Sequence, residues 1–263
     1  MILNSDGAEI YYSVRGSGRP LVLLHPFPAN HRFWDPSAPF LENRYQLILP
    51  DLRAHGDSSS GTGPATMAKH AQDLARLCDA LEIGRAIFAG VSIGGYVLFE
   101  FWRQFQERVA GLVLANTRAG ADSDDARLGR QKSIAEVEQR GPAPFIENML
   151  SKVLGETTRR GRLDRVEGAR AMMSRMTVRG IVASLQGLAS RPDSATTLAT
   201  IDVPTLVLAG EEDTLTPIAE AQFMHKEIRA SRFEIIPKAG HYAAFEQPEI
   251  AGRLLRTFAD ALP

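Results

Sequence analysis

The apolar residues of the chain fall into short runs separated by amphipathic stretches and turn residues. Ile10 to Val14 alternates apolar and polar positions, as a half-buried strand does, and Gly16-Ser17-Gly18 closes it. This segment is expected at a sheet edge. Leu21-Val22-Leu23-Leu24 is continuously apolar, the pattern of a strand covered on both faces. Similar runs recur at Tyr45–Leu49, from Ile87, at Val109–Ala115, at Thr205–Ala209 and at Phe233–Ile236. Helical spacing lies between them. Met67, Ala71, Leu74, Cys78 and Leu81 form one stripe, and Val97, Leu98, Phe101, Trp102 and Phe105 form another. A last helix has Pro248 in its first turn and Ile250, Leu254, Leu255, Phe258 and Leu262 on one face.

Strands alternating with helices predict a mostly parallel, twisted sheet with helices on both faces. In such sheets, ligands sit at the C-terminal ends of the strands. The alternation stops between Arg118 and Pro192, where no strand pattern is visible. That segment holds 14 Lys and Arg against 9 Asp and Glu, although the whole chain carries a net charge of −1. The expected organisation is a core of residues 1–117 and 196–263 with an all-helical cap of 118–195. The cap leaves the sheet after its sixth strand, where the chemistry is expected, and so reads as a lid.

The bulk properties narrow the class. A length of 263 residues suits one large α/β domain or two small ones, and 44% apolar content supplies a core. A near-neutral charge points to neither nucleic acid nor an anionic membrane as partner. The single cysteine, Cys78, excludes an internal disulfide and falls on a helix stripe, where an inert buried thiol is expected. The first residues lack a basic start and an apolar signal core, and no stretch reaches the ~20 apolar residues of a membrane span. A cytoplasmic protein, monomer or homodimer, is expected.

The candidate chemistry starts at Gly90-Val91-Ser92-Ile93-Gly94, between an apolar strand and a helical pattern. This is the G-x-S-x-G nucleophile elbow, a sharp strand-to-helix turn that lifts a serine above the sheet and needs small flanking residues. A nucleophilic serine needs a base, and the base needs an orienting acid. Both kinds of residue follow late strands: Glu211, Glu212 and Asp213 follow one, and Gly240-His241 follows the next. The N–H of Ile93, just after the serine, is a candidate donor to an oxyanion. Among the other histidines, His70 and His225 fall on helices and read as surface residues. Asp51, Arg53 and Asp57 read as a structural polar turn. No Cys, His or carboxylate cluster has zinc spacing, and no G-x-G-x-x-G follows a strand, so no metal or cofactor is called for.

LVLLHPFPAN, PDLRAHGDSS, FAGVSIGGYV, LVLANT, VPTLVLAGEEDTLTP and PKAGHYAAFEQPE together resemble the α/β-hydrolase fold along essentially the whole chain. Within that fold, the texture is similar to serine esterases and 3-oxoadipate enol-lactonases. The resemblance implies a Ser92–His241–Asp213 triad, with Asp213 rather than either neighbouring glutamate as the acid. It also implies a second oxyanion donor at Phe27, in a loop where relatives usually carry His-Gly-x-Pro. Here that loop reads His25-Pro26-Phe27-Pro28, and Pro26 lacks an N–H while Phe27 keeps its own. His25 is expected to order this loop. The implied reaction is hydrolysis of a small-molecule ester or lactone. Ser92 argues against the dehalogenases and epoxide hydrolases of the fold, which use aspartate. A C–C bond hydrolase, a perhydrolase or a slow-turnover small-molecule receptor remain as alternatives. Trp34, Met149 and Met173 are expected to line an apolar acyl pocket. Arg118, just past a strand end, is a candidate partner for a substrate carboxylate.

Overall fold

The computed structural model describes residues 1–262. Eight strands form one sheet: β1 (Ile2–Ser5), β2 (Ala8–Arg15), β3 (Arg19–Leu24), β4 (Tyr45–Pro50), β5 (Ala86–Val91), β6 (Val109–Ala115), β7 (Thr205–Gly210) and β8 (Ser231–Ile236). Their spatial order is β1-β2-β4-β3-β5-β6-β7-β8. The β1–β2 and β2–β4 pairs are antiparallel, and every other pair is parallel. The segment expected at the edge is therefore one strand in, and β1 covers it. Every residue of β5 and of β7 is buried, which is why those stretches are apolar without alternation.

The register sets where the strand ends fall. Leu24 pairs with Gly90, Val91 with Ala115, Ala115 with Leu208, and Gly210 with Ile236. The segments leaving β3, β5, β6, β7 and β8 are thus gathered at one end of the sheet. The helices of the core are α1 (Met67–Ala80), α2 (Ile93–Phe105), α9 (Ile218–Glu227), α10 (Ala243–Glu246) and α11 (Pro248–Asp260). Between β6 and β7 the chain is helical: α3 (Asp124–Arg140), α4 (Pro142–Val153), α5 (Glu156–Gly161), α6 (Leu163–Met173), α7 (Val178–Ala189) and the short α8 (Ala195–Leu198).

Helix α1 buries Met67, His70, Ala71, Leu74, Leu77 and Cys78 on one stripe, and Asp73 beside it. His70 is therefore a core residue at 1% exposure and not a surface one, because its spacing from Met67 and Leu74 places it on the apolar face. His225 is exposed, as its helix position suggested. Asp73 is satisfied by Arg53, which donates from Nε to Oδ2 (2.9 Å) and from Nη2 to Oδ1 (2.7 Å). The same Nη2 reaches the Ser5 carbonyl at 3.0 Å. One buried ion pair thus ties β1, the segment after β4 and α1 together. Removing one partner of such a pair leaves an uncompensated buried charge. Asp73→Ala is expected to cost about 3–5 kcal/mol by chemical denaturation; a loss below about 1 kcal/mol would contradict this role.

Three buried histidines lie behind the strand ends. Burial, with the neighbouring His55, pushes His25 down to about 3. Burial likewise pushes His55 down to about 4, and His70 well below its ordinary value. Each stays neutral in the fold but takes up a proton near pH 6.5 once unfolded. The unfolded state therefore binds more protons, and stability falls as pH drops from about 6.5 toward 4. Each such histidine contributes a slope of up to about 1.4 kcal/mol per pH unit. The tightly bonded carboxylates Asp51 and Asp213, whose pKa values are lowered, lose their stabilisation only below this window. Thermal unfolding across pH 4 to 7 is expected to show this decline, and a flat profile would contradict it.

Candidate active site

Ser92 stands between β5 and α2 with φ 55° and ψ −113°, a strained backbone for a residue with a side chain. Its N–H donates to the Ala115 carbonyl (3.0 Å), and its own carbonyl accepts from Thr117 Oγ1 (2.8 Å). Close backbone approach makes the turn possible. A Cβ at Gly90 would lie 2.4 Å from the Gly94 carbonyl carbon, and one at Gly94 would lie 2.9 Å from the Leu24 carbonyl oxygen. Only glycine fits at either position, so the spacing around Ser92 is a steric requirement of this turn.

His241 follows β8 and Asp213 follows β7. His241 Nδ1 lies 2.8 Å from Asp213 Oδ2. With Nδ1–H donated to that carboxylate, Nε2 is left as the basic nitrogen. Asp213 Oδ1 accepts the N–H groups of Leu215 (2.8 Å) and Thr216 (3.0 Å). Oδ2 also accepts from Thr216 Oγ1 and from Asn116 Nδ2 (2.9 Å). Burial disfavours the charge on Asp213, but the adjacent His241 and the hydrogen bonds from His241 and Thr216 outweigh it. The carboxyl is held well below the usual range. The neighbouring glutamates point elsewhere: Glu211 accepts from the Lys238 N–H and Glu212 from the Thr157 N–H.

Asn116 and Thr216 were not singled out from the sequence. Asn116 has φ 46° at the end of β6, a conformation that asparagine tolerates, and this turns its amide toward Asp213 and the Gly240 carbonyl (3.2 Å). Glu246 was also missed. Its carboxylate accepts the Gly240 N–H (2.9 Å) and the Gly155 N–H (2.8 Å), so it joins the His241 segment to the helical segment. Burial pushes its pKa up.

The segment after β3 is fixed by His25. Its Nδ1–H donates to the Pro26 carbonyl (2.9 Å), and its Nε2 accepts the Leu52 N–H (2.9 Å). Both ring nitrogens are used, which sets the tautomer and anchors the turn that carries Phe27. The Phe27 ring meets His55 edge-on at 5.7 Å and Phe145 of α4 at 5.9 Å.

Ser92, His241, Phe27 and Ile93 all line one cavity of about 440 Å³. Phe145 and Met149 of α4, Leu185 and Leu188 of α7, and Arg118 line it as well. Two residues expected at this pocket are elsewhere. Trp34 is 1% exposed and packs edge-on against Phe33, and Met173 is fully buried; neither lines the cavity. Both are apolar side chains absorbed by packing instead. Asp51 and Arg53 are buried in internal hydrogen bonds, and Asp57 pairs with Arg175. His31, Asp51 and Asp57 approach one another, but Asp51 already accepts from His31 and from the Asp57 N–H (2.7 Å). No helix among the described residues is long and apolar enough to cross a membrane.

The fold has close counterparts among known proteins. A thermophilic esterase from Thermogutta terrifontis, solved with malate bound, is 35% identical and superposes with a TM-score of 0.95 over 99% of this chain and 98% of that one. A hydrolase from Pseudomonas aeruginosa PA01 is 30% identical, with a TM-score of 0.92 over 99% and 98% of the two chains. The 3-oxoadipate enol-lactonase 1 of Acinetobacter baylyi is 26% identical over 258 residues, which cover 95% of this chain and 92% of that relative. The sequence pattern of the alpha/beta hydrolase fold matches residues 19–248. With its mostly parallel eight-stranded sheet and its serine turn after β5, the chain belongs to the alpha/beta hydrolase fold family.

Proposed function

We propose that the protein hydrolyses a carboxylic ester or lactone of a small molecule through an acyl-enzyme on Ser92. The observation that carries this reading is the convergence of the strained Ser92 turn and the Asp213-bonded His241 on one cavity. Ser92 Oγ attacks the acyl carbon while His241 Nε2 takes its proton. The carbonyl oxygen becomes an oxyanion, held by the N–H groups of Phe27 and Ile93. Collapse breaks the bond to the alcohol oxygen, which takes the proton back from His241. Water then gives a proton to His241 and attacks the acyl-enzyme, and the acid leaves as Ser92 recovers its proton. Asp213 keeps the imidazole in the right tautomer and favours the imidazolium formed in both steps.

Residues 118–195 act as a lid over this chemistry. In support, α4 and α7 supply Phe145, Met149, Leu185 and Leu188 to the cavity that holds Ser92. Burial of the acyl group under these side chains excludes water and strengthens the electrostatic terms inside. The esterase and enol-lactonase relatives favour an ester or lactone over the other reactions of the fold.

The test is turnover of p-nitrophenyl esters from acetate to octanoate, with 3-oxoadipate enol-lactone beside them. Turnover is expected, and Ser92→Ala should lower kcat by about 10⁴-fold or more. Asp213→Asn should lower it by roughly 10³- to 10⁴-fold with KM little changed. Faster turnover of short esters than of the lactone would mark a general carboxylesterase. A folded protein that turns over none of these substrates would overturn the reading in favour of a C–C bond hydrolase or a receptor.

A further inference from the structure

The cavity wall carries charge of one sign. Arg118, Arg130 and Lys152 line it, and no aspartate or glutamate does. Behind the two arginines lies Asp122, whose side chain is fully buried. It accepts from Arg118 Nη2 (3.2 Å), from Arg130 Nε, and from Arg191 Nε and Nη2 (3.3 and 3.2 Å). Arg191 is itself buried, and its guanidinium stacks on the Tyr96 ring at 4.1 Å. One carboxylate therefore bonds three guanidinium groups at once. Arg191 is sealed in, whereas Arg118 and Arg130 keep 28% and 20% of their side chains exposed and line the cavity.

We infer that Arg118 and Arg130, held in place by Asp122, form a receptor for a carboxylate on the substrate, remote from the bond that Ser92 attacks. This rests on the hydrolase reading and narrows it to ester or lactone acids. Guanidinium forks match a carboxylate in pairs, and Asp122 fixes both before a ligand arrives. On the cavity side an anion meets Arg118, Arg130 and Lys152, with no wall carboxylate to repel it. Binding energy from a remote group also positions the reacting carbonyl.

The experiment compares kcat/KM for three phenyl esters: phenyl hexanoate, monophenyl adipate and 4-carboxyphenyl hexanoate. The first is neutral, the second carries its charge on the acyl part, and the third carries it on the leaving alcohol. Binding of adipate to the protein, with hexanamide as the neutral comparator, is measured alongside by calorimetry. One of the anionic esters should exceed phenyl hexanoate by at least about tenfold at low salt, and the advantage should shrink as salt is added. The favoured ester tells which part of the substrate bears the charge. Arg118→Gln and Arg130→Gln should each lower the ratio of anionic to neutral kcat/KM about tenfold or more, and Arg130→Lys should restore part of it. A structural staple would lower both rates together and leave the ratio unchanged. If either variant does not fold, the salt dependence of the native ratio decides. Equal kcat/KM for the three esters, with no adipate binding, would overturn the receptor while leaving the hydrolase reading intact. Arginine-dependent adipate binding without turnover of any ester would uphold the receptor and sink the hydrolase reading.

Discussion

The structure depends on how closely the chain approaches itself around Ser92. Gly90 and Gly94 let the end of β5, the start of α2 and the end of β3 touch backbone to backbone. That contact holds Ser92 at positive φ, at a cost of about 1–3 kcal/mol. The strain is held by the surrounding sheet: β5 pairs with β3 on one side and β6 on the other. Hydrogen bonds from the Ser92 N–H to Ala115 and from Thr117 to the Ser92 carbonyl lock the turn to β6. A turn so constrained fixes where Ser92 meets the cavity that His241 also lines.

The rest of the site follows from sheet register. Because neighbouring parallel strands end at the same level, the residues after β3, β5, β6, β7 and β8 become neighbours despite wide separation in the chain. Asp213 sits where two N–H groups, a hydroxyl and the Asn116 amide converge, so it stays charged although buried. The helical segment is bound to this assembly. The Tyr242 N–H donates to the Val153 carbonyl (3.0 Å), and Glu246 bridges Gly240 and Gly155. The helical segment, which supplies part of the cavity lining, and the segment carrying His241 are thus one connected unit.

Much of this was legible in the chain because it is local. The G-x-S-x-G turn needs five adjacent residues, and the apolar runs mark strands with boundaries within a residue or two, although the short β1 escaped and β8 is a largely exposed edge. His241 and its acid follow strands, and adjacency to a strand end is a local property. What escaped depends on distant partners. Asn116 and Thr216 are ordinary residues until the register of β6 and β7 brings them to Asp213. Asp122 gains its meaning from Arg191, 69 residues later in the chain. Trp34 and Met173 show the complementary difficulty: apolar side chains at the right distance from a site serve packing as readily as they serve a pocket. His70 was misplaced for a simpler reason, since polarity was given more weight than helical phase.

The central claim is that Ser92 is the nucleophile. It is tested most directly by reacting the protein with diethyl p-nitrophenyl phosphate and mapping the adduct by mass spectrometry. The account predicts one diethylphosphoryl group per chain, on Ser92 and absent from Ser92→Ala. A folded protein that takes no label, or takes it on another residue with Ser92 unmodified, would contradict it.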